Sequence, residues 1–304
     1  MIQALYVDDE PLLLDIGKRF LEKSDKICVD TIESAFEALA KLRTTKYDVI
    51  ISDYEMPVMD GITFLKIVRA EYPLLPFIIF TGKGREEVVI EALNSGADHY
   101  IQKGGNLKPL FAELMHNIER AVERNRSHDT IIHLNRLYSV LSSTNRAVIH
   151  IRDRQALLNE ACRIAVEEGK FLMAWIGIVD PQTHTVNPIA ACGYEDGYLN
   201  NLSISIDNVP QGMGLTGAAI RECRTIISND IASDPLMVRY REKAAQRRYR
   251  SSASIPLNCS GKVIGAMRYY SSEVNFFNKQ EIQLLQDLVA DICFALEFIK
   301  PEDV

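Results

Sequence analysis

Apolar residues recur along the first 124 positions as short continuous runs, at residues 4–7, 27–31, 48–52, 77–80 and 99–101. Between them, residues 12–23, 34–43, 61–71 and 86–94, and a stretch from about residue 107, place apolar side chains at helical spacing. Continuous apolar strands alternating with amphipathic helices predict an α/β, doubly wound, five-stranded parallel sheet covered on both faces. Pro11 opens one helix, Glu33 and Ser34 precede another, and Asn94, Ser95 and Gly96 close a third.

Beyond this domain, residues 110–168 contain neither Pro nor Gly. Leu107, Leu110, Leu114, Ile118 and Val122 keep a three-four spacing, which Ile131, Leu134, Tyr138 and Leu141 resume after the polar patch 123–129. The pattern predicts a connecting helix over 107–149 that overlaps both domains. Its exposed seam is expected to pair in parallel with a second copy, giving a homodimer. After a helix opened by Asp153, strands are expected at 174–179, 186–191, 203–206, 225–228, 254–257 and 263–270, with helices at 215–222 and 279–298. That order predicts an α+β domain with an antiparallel sheet over 130–304.

The chemistry-bearing residues of the first domain fall at strand ends. Asp8 and Asp9 follow the first strand, Asp53 the third, Thr81 the fourth and Lys103 the fifth. In a parallel sheet these ends share one edge, so the residues converge although far apart in sequence. Carboxylates a few ångströms apart repel by roughly 4 kcal/mol per pair at an effective dielectric near 20. They would share a proton or collect a hard divalent cation, for which Mg²⁺ suits one or two carboxylates plus waters. A lysine and a hydroxyl opposite them provide one compensating charge and one donor for a phosphoryl group. Asp53 is then a nucleophile able to take that group as a mixed anhydride.

In order and spacing, Asp8, Asp9, Asp53, Thr81 and Lys103, with "MPVMDG" after Asp53, resemble the phospho-acceptor site of response-regulator receiver domains over about residues 1–124. The resemblance implies phosphorylation of Asp53 by a histidine kinase or phosphotransfer protein. It implies Mg²⁺ held by Asp9, Asp53 and the Glu55 carbonyl, with Asp8 acting through water. It further implies Lys103 on the phosphoryl oxygens and Thr81 with Tyr100 as the switch. The family usually has proline after the lysine; Gly104 and Gly105 stand here, which predicts a looser loop. A phosphohydrolase working through an aspartyl phosphate is the competing enzyme reading. It usually shows D-x-D, where "DYE" has a glutamate.

In the second domain "GMGLTGAAIRE", "TIISND", "SIPL", "GKVIGAM" and the closing helix look like a GAF domain over about residues 140–299. The resemblance implies a small-molecule pocket, expected to include Trp175, Cys192, Tyr194 and Gly214, with the ligand unspecified. "GMGLTG" also satisfies G-x-G-x-x-G, but loop residues precede it and only a short helix follows, against dinucleotide binding. "RYREKAAQRRYR" at 239–250 holds six basic residues and one acid; without a reader module it is expected to be a solvated amphipathic excursion. His128 lacks the sequence context of a kinase phospho-acceptor.

Composition narrows the remaining classes. Of the net charge of −7, residues 1–124 carry −6, from 15 Lys+Arg against 21 Asp+Glu, which argues against direct nucleic-acid binding. The chain has no apolar run of membrane-spanning length and no charged-then-apolar leader at Met1. Six scattered cysteines without a C-x-x-C pair suit a reducing cytoplasm. The expected protein is a cytoplasmic two-component response regulator coupled to a GAF sensor, not an enzyme. The alternative is a ligand-binding adaptor whose receiver serves protein–protein interaction.

Overall fold

The computed structural model describes residues 1–82 and 86–299, so residues 300–304, the end of the second expected domain, lie outside the described residues. The chain divides into two compact units after Ile131.

In the first unit, strands β1 (Ile2–Val7), β2 (Ile27–Ile32), β3 (Val49–Ser52), β4 (Phe77–Thr81) and β5 (His99–Gln102) alternate with helices α1 (Pro11–Glu22), α2 (Ala35–Leu42), α3 (Gly61–Glu71) and α4 (Glu86–Asn94). The sheet order is β2-β1-β3-β4-β5, with every neighbouring pair parallel. Alternate residues of a strand face opposite sides. Accordingly Ala4 and Tyr6 join a core with Leu14, Leu21, Leu110 and Leu114, whereas Leu5 and Val7 join another with Ala38, Phe64, Val68 and Ala92. Both cores are apolar to the strand ends, so polar side chains emerge only at the rim. No helix among the described residues is long and apolar enough to cross a membrane.

Helix α5 (Leu107–His150) runs 44 residues. Its first half packs Leu110, Phe111, Leu114, Ile118 and Val122 into the first unit's core, and Val140 and Ala147 belong to a core of the second. The helix stops although no Pro or Gly is present. Asp153 ends it by capping α6 (Arg154–Glu167), its Oδ1 accepting from the Ala156 N–H at 2.6 Å.

The second unit adds β6 (Met173–Val179), β7 (Val186–Gly193), α7 (Leu215–Glu222), β8 (Ile226–Ser228), α8 (Arg241–Gln246), β9 (Ser251–Cys259), β10 (Lys262–Ser271) and α9 (Lys279–Phe298). The five strands form an antiparallel sheet ordered β7-β6-β10-β9-β8. One face packs on α6, α9 and the end of α5; the other lies under α7 and the excursion that contains α8. On the first face Arg136 pairs with the buried Glu281, beside His133.

One local expectation is corrected. The strand expected at 203–206 is a single bridge, Thr185 to Ser205, because Ser205 turns its hydroxyl to the His184 carbonyl and the Asp207 N–H and the chain then bends away. The excursion at 239–250 is amphipathic, as expected: it holds α8, buries Tyr240, Ala244 and Tyr249, and leaves Arg239, Lys243, Arg248 and Arg250 exposed.

The "GMGLTG" glycines serve packing. A Cβ on Gly217 would lie 2.5 Å from the Gly212 carbonyl oxygen and 2.6 Å from that of Ser205, both rigid backbone. Gly217→Ala is expected to cost the second unit about 1–3 kcal/mol, as other overpacked sites do. Chemical denaturation followed by a signal from that unit would measure it, and an unchanged midpoint would show that the loop yields.

Candidate functional site

The C-terminal edge of the parallel sheet gathers the expected residues around one lysine. Asp53 continues β3 and Asp8 continues β1; the Asp53 N–H donates to the Val7 carbonyl at 2.8 Å, which ties the two strand ends together. Lys103 follows β5, and its N–H donates to the Thr81 carbonyl at 2.6 Å. Its Nζ then donates to Asp8 Oδ2 and to Asp53 Oδ1, each at 2.6 Å.

Asp8 is fully buried and Asp53 is 5% exposed, so this is an interior ion cluster with two acids for one base. Burial pushes the Asp53 carboxyl above its ordinary value, with Lys103 pulling the other way and Asp8 adding to the rise. Burial also works against the Lys103 ammonium, but hydrogen bonds to Asp53 and Asp8 outweigh it and raise its pKa. The second Asp53 oxygen, Oδ2, accepts from the Glu55 N–H at 2.6 Å.

The remaining residues surround this cluster. Asp9 is exposed, next to the buried Asp8. Thr81 is buried at the end of β4. Tyr100, half-buried on β5 opposite Ile79, has its phenol pKa raised by burial and then by the negative charge of Asp53. Gly105 sits at φ +76° with open space around it and around Gly104. One participant escaped the sequence reading. The Tyr6 hydroxyl donates to Asp8 Oδ2 at 3.3 Å, and in sequence Tyr6 is indistinguishable from a core aromatic of β1.

Whether a divalent cation suits this edge follows from charge and donors. Asp8, Asp53 and Lys103 together leave one uncompensated negative charge in a buried place, and Asp9 adds another at its rim. The available donors are all oxygens, which a hard cation prefers. Among the described residues no three acid, histidine or cysteine side chains already form a metal cage. Two carboxylates with excess negative charge are a donor set that fits a hard cation such as Mg²⁺, which takes one or two carboxylates and keeps several waters.

Comparison with known proteins agrees with this geometry. The family model described as the response regulator receiver domain matches residues 4–115, and that of the GAF domain matches residues 151–297. The chain carries a response regulator receiver domain followed by a GAF domain. Over 120 residues it is 32% identical to the DNA-binding transcriptional regulator NtrC of Proteus hauseri, a match covering 40% of this chain and 24% of that protein. It is 32% identical over 128 residues to the response regulator GtcR of Aneurinibacillus migulanus, covering 42% and 52%. A receiver domain structure from Clostridium thermocellum aligns at 30% identity and TM-score 0.38, covering 41% of this chain and 98% of that one. The chain thus spans between about a quarter and a half of these two curated relatives.

The four residues expected to line a GAF pocket do not share one cavity. Trp175 is fully buried on the excursion side of the sheet. Cys192 pairs with Ala174, one position from Trp175, and so faces the other side, where it borders a cavity of about 550 Å³ with Asn159 and Pro188. Alternation along the strand separates them. Tyr194 is 54% exposed, just beyond β7. Gly214 lies against Tyr240, whose ring would be 2.8 Å from a Cβ there, so Gly214 and Trp175 belong to the excursion side.

The loop after Asp53 is held tightly from two directions. A Cβ on Gly61 would lie 2.2 Å from the Asp53 carbonyl oxygen, so the start of α3 passes directly beneath the acceptor residue. Val58, in the same loop, has φ +71° while the Met59 N–H donates to the Pro57 carbonyl at 2.8 Å, a strained γ-turn at a β-branched residue. Its side chain is fully exposed, so no burial offsets that strain. Val58→Gly is expected to stabilise the receiver by about 1 kcal/mol, the left-handed penalty being roughly 1–2 kcal/mol and glycine's extra unfolded entropy removing part of the gain. A lower unfolding temperature for the variant would show that the valine makes a contribution outside its backbone.

Proposed function

We propose that this chain is a response regulator whose Asp53 takes a phosphoryl group from a histidine kinase or phosphotransfer protein, and whose GAF domain is a small-molecule sensor. The observation that carries the reading is the fork of Lys103 between the buried carboxylates of Asp8 and Asp53. An Asp53 oxygen forms the bond to phosphorus while the bond from phosphorus to the donor imidazole nitrogen breaks, and that nitrogen is reprotonated from solvent. Lys103 turns from the carboxylate to the phosphoryl oxygens, whose charge replaces the one it loses. Mg²⁺ would be held by Asp9, Asp53 and the Glu55 carbonyl, with Asp8 acting through a water. When bound it neutralises the charge that builds up as the anhydride forms. Thr81 and Tyr100 read the new group, Tyr100 because its phenol already lies within the field of Asp53.

The phosphoryl group stays on the chain as a signal, so the role is that of a regulated acceptor and not an enzyme. The six cysteines are free thiols, as a reducing cytoplasm would keep them.

With acetyl phosphate and Mg²⁺, wild type is expected to gain one phosphoryl group by intact-protein mass spectrometry, and Asp53→Asn none. Equal labelling of the Asn variant would move the acceptor elsewhere. No labelling of wild type would favour a receiver that serves as an interaction module.

The second element of the proposal is a homodimer through α5. Ile131, Leu134, Tyr138 and Leu141 are exposed at 56, 56, 73 and 38% and follow the three-four spacing of a helix seam. Leu134→Glu combined with Tyr138→Glu should shift wild-type dimer towards monomer in sedimentation equilibrium while leaving helicity unchanged, since neither side chain supports a core. A monomeric wild type, or an unaffected dimer, would remove this seam as the interface.

A further inference from the structure

The GAF domain contains a buried arginine with no acid to balance it. Arg268, in the central strand β10, is 2% exposed and shares its cross-strand row with Trp175 and Ser254, on the excursion side of the sheet. Its Nη1 donates to Thr216 Oγ1 at 3.2 Å, and its Nη2 reaches Ser252 Oγ at 3.3 Å and the Met237 sulfur at 3.2 Å. The guanidinium also lies 4.9 Å from the centre of the Tyr270 ring. Among the described residues no carboxylate pairs with it. Arginine is almost never fully buried without a charged partner, because losing water around a cation costs far more than neutral hydroxyls return.

Its surroundings are equally incomplete. Arg268 Nε makes no hydrogen bond, and neither do the buried hydroxyls of Ser254 beside it and of Ser228 in the neighbouring row, which Ser252 and Tyr270 share. Above them stands the start of α7. Gly214 occupies its N-cap without a side chain to cap it, no acid lies in the first turn, and Thr216 of that turn is the residue bonded to Arg268. An uncapped helix start next to an unpaired guanidinium and spare hydroxyls is the donor set that recognises an oxyanion. The poorest acceptor in the present arrangement is the Met237 thioether, which occupies a guanidinium position that an anionic oxygen would fill much better.

We propose that Arg268 is the anion-binding group of the GAF pocket. The ligand it takes is a small carboxylate- or phosphate-bearing molecule lying between β10 and the start of α7, its oxygens replacing Met237 on the guanidinium. The inference rests on the reading of this domain as a sensor and specifies the ligand's charge and anchor. Binding moves Met237 and Tyr240, and with them the segment that carries α8, since Met237 touches the guanidinium and Tyr240 packs against Gly214.

The test uses the full chain with inorganic phosphate and succinate as separate probes, and also identifies small molecules released from the purified protein by heat. Saturable stabilisation of the GAF transition by one probe is expected, the probe that succeeds separating the phosphate source from the carboxylate one. In Arg268→Met the affinity for that probe should fall about 10- to 100-fold. The variant's own stability without anion should equal or exceed that of wild type, because an unpaired charge has been removed from the interior. Undiminished affinity in Arg268→Met overturns the assignment. A marked loss of stability without any anion effect also overturns it, making Arg268 structural. Release of a neutral molecule, with no response to either anion, overturns the anion anchor while leaving the sensor reading intact. No released molecule and no response to either probe overturns both.

Discussion

Lys103 holds the acceptor edge together. Two neighbouring strands end in buried carboxylates that would repel each other without it. Its ammonium bonds Asp8 at the end of β1 and Asp53 at the end of β3, while its own N–H bonds Thr81 at the end of β4. The low-dielectric surroundings that make the two carboxylates costly also strengthen their attraction to this one cation. The ammonium lies 5.6 Å from the Phe80 ring centre, so the base is placed by the same core that buries the acids. The cluster is nonetheless short of positive charge. An arrangement with two buried acids and one base is poised for a further cation and for a group that exchanges partners with the lysine.

The architecture of both units could be read from the chain because it rests on periodicity. Strand runs that are apolar on both faces, as at residues 77–80, admit only a covered sheet, and the residues that follow them must lie at one edge. The proline-free and glycine-free stretch likewise marked α5, with Asp153 marking its end. Local hydrogen bonding decided what remained hidden. Asp8 and Asp9 are adjacent and chemically alike, and only the path of the chain after β1 makes one buried and the other exposed. Trp175 and Cys192 both lie on strands of one sheet, yet their faces depend on a register that no single strand reveals. Residues 203–206 had strand character and do pair beside β7, through Val186 N–H to the Ile204 carbonyl and Ile206 N–H to the His184 carbonyl, but only for one bridge before the chain bends away. Val58 reads as an ordinary loop residue, and only its backbone angle shows the strain.

Arg268 was the least legible residue. In "GAMRYYS" a single arginine within a strand reads as a solvent-facing position, since alternation normally puts polar residues outward. That inference fails in a sheet covered on both faces. Here the arginine lies beneath the excursion that holds α8, with Met237 on its guanidinium. The excursion buries Met237, Tyr240 and Tyr249 and leaves Arg239, Lys243, Arg248 and Arg250 exposed, the amphipathic division its sequence predicts.

The two units thus carry opposite charge imbalances in their interiors. Elsewhere the second domain holds a buried charge that is paired. On the far face of its sheet, the buried Glu281 meets Arg136, and its backbone N–H is capped by Asn278, whose side chain also accepts from Gln280. Removing one partner there would strand a charge, so that pair is a fixed part of the packing. The acceptor edge of the receiver has one negative charge too many, and the excursion side of the GAF sheet has one positive charge too many. A folded chain tolerates such a residue only if the surrounding packing supplies the missing free energy. The free energy lost there is regained when a ligand of opposite charge binds. Such sites respond strongly to what enters them, because the entering group relieves an existing electrostatic cost and does not have to create a new contact from nothing.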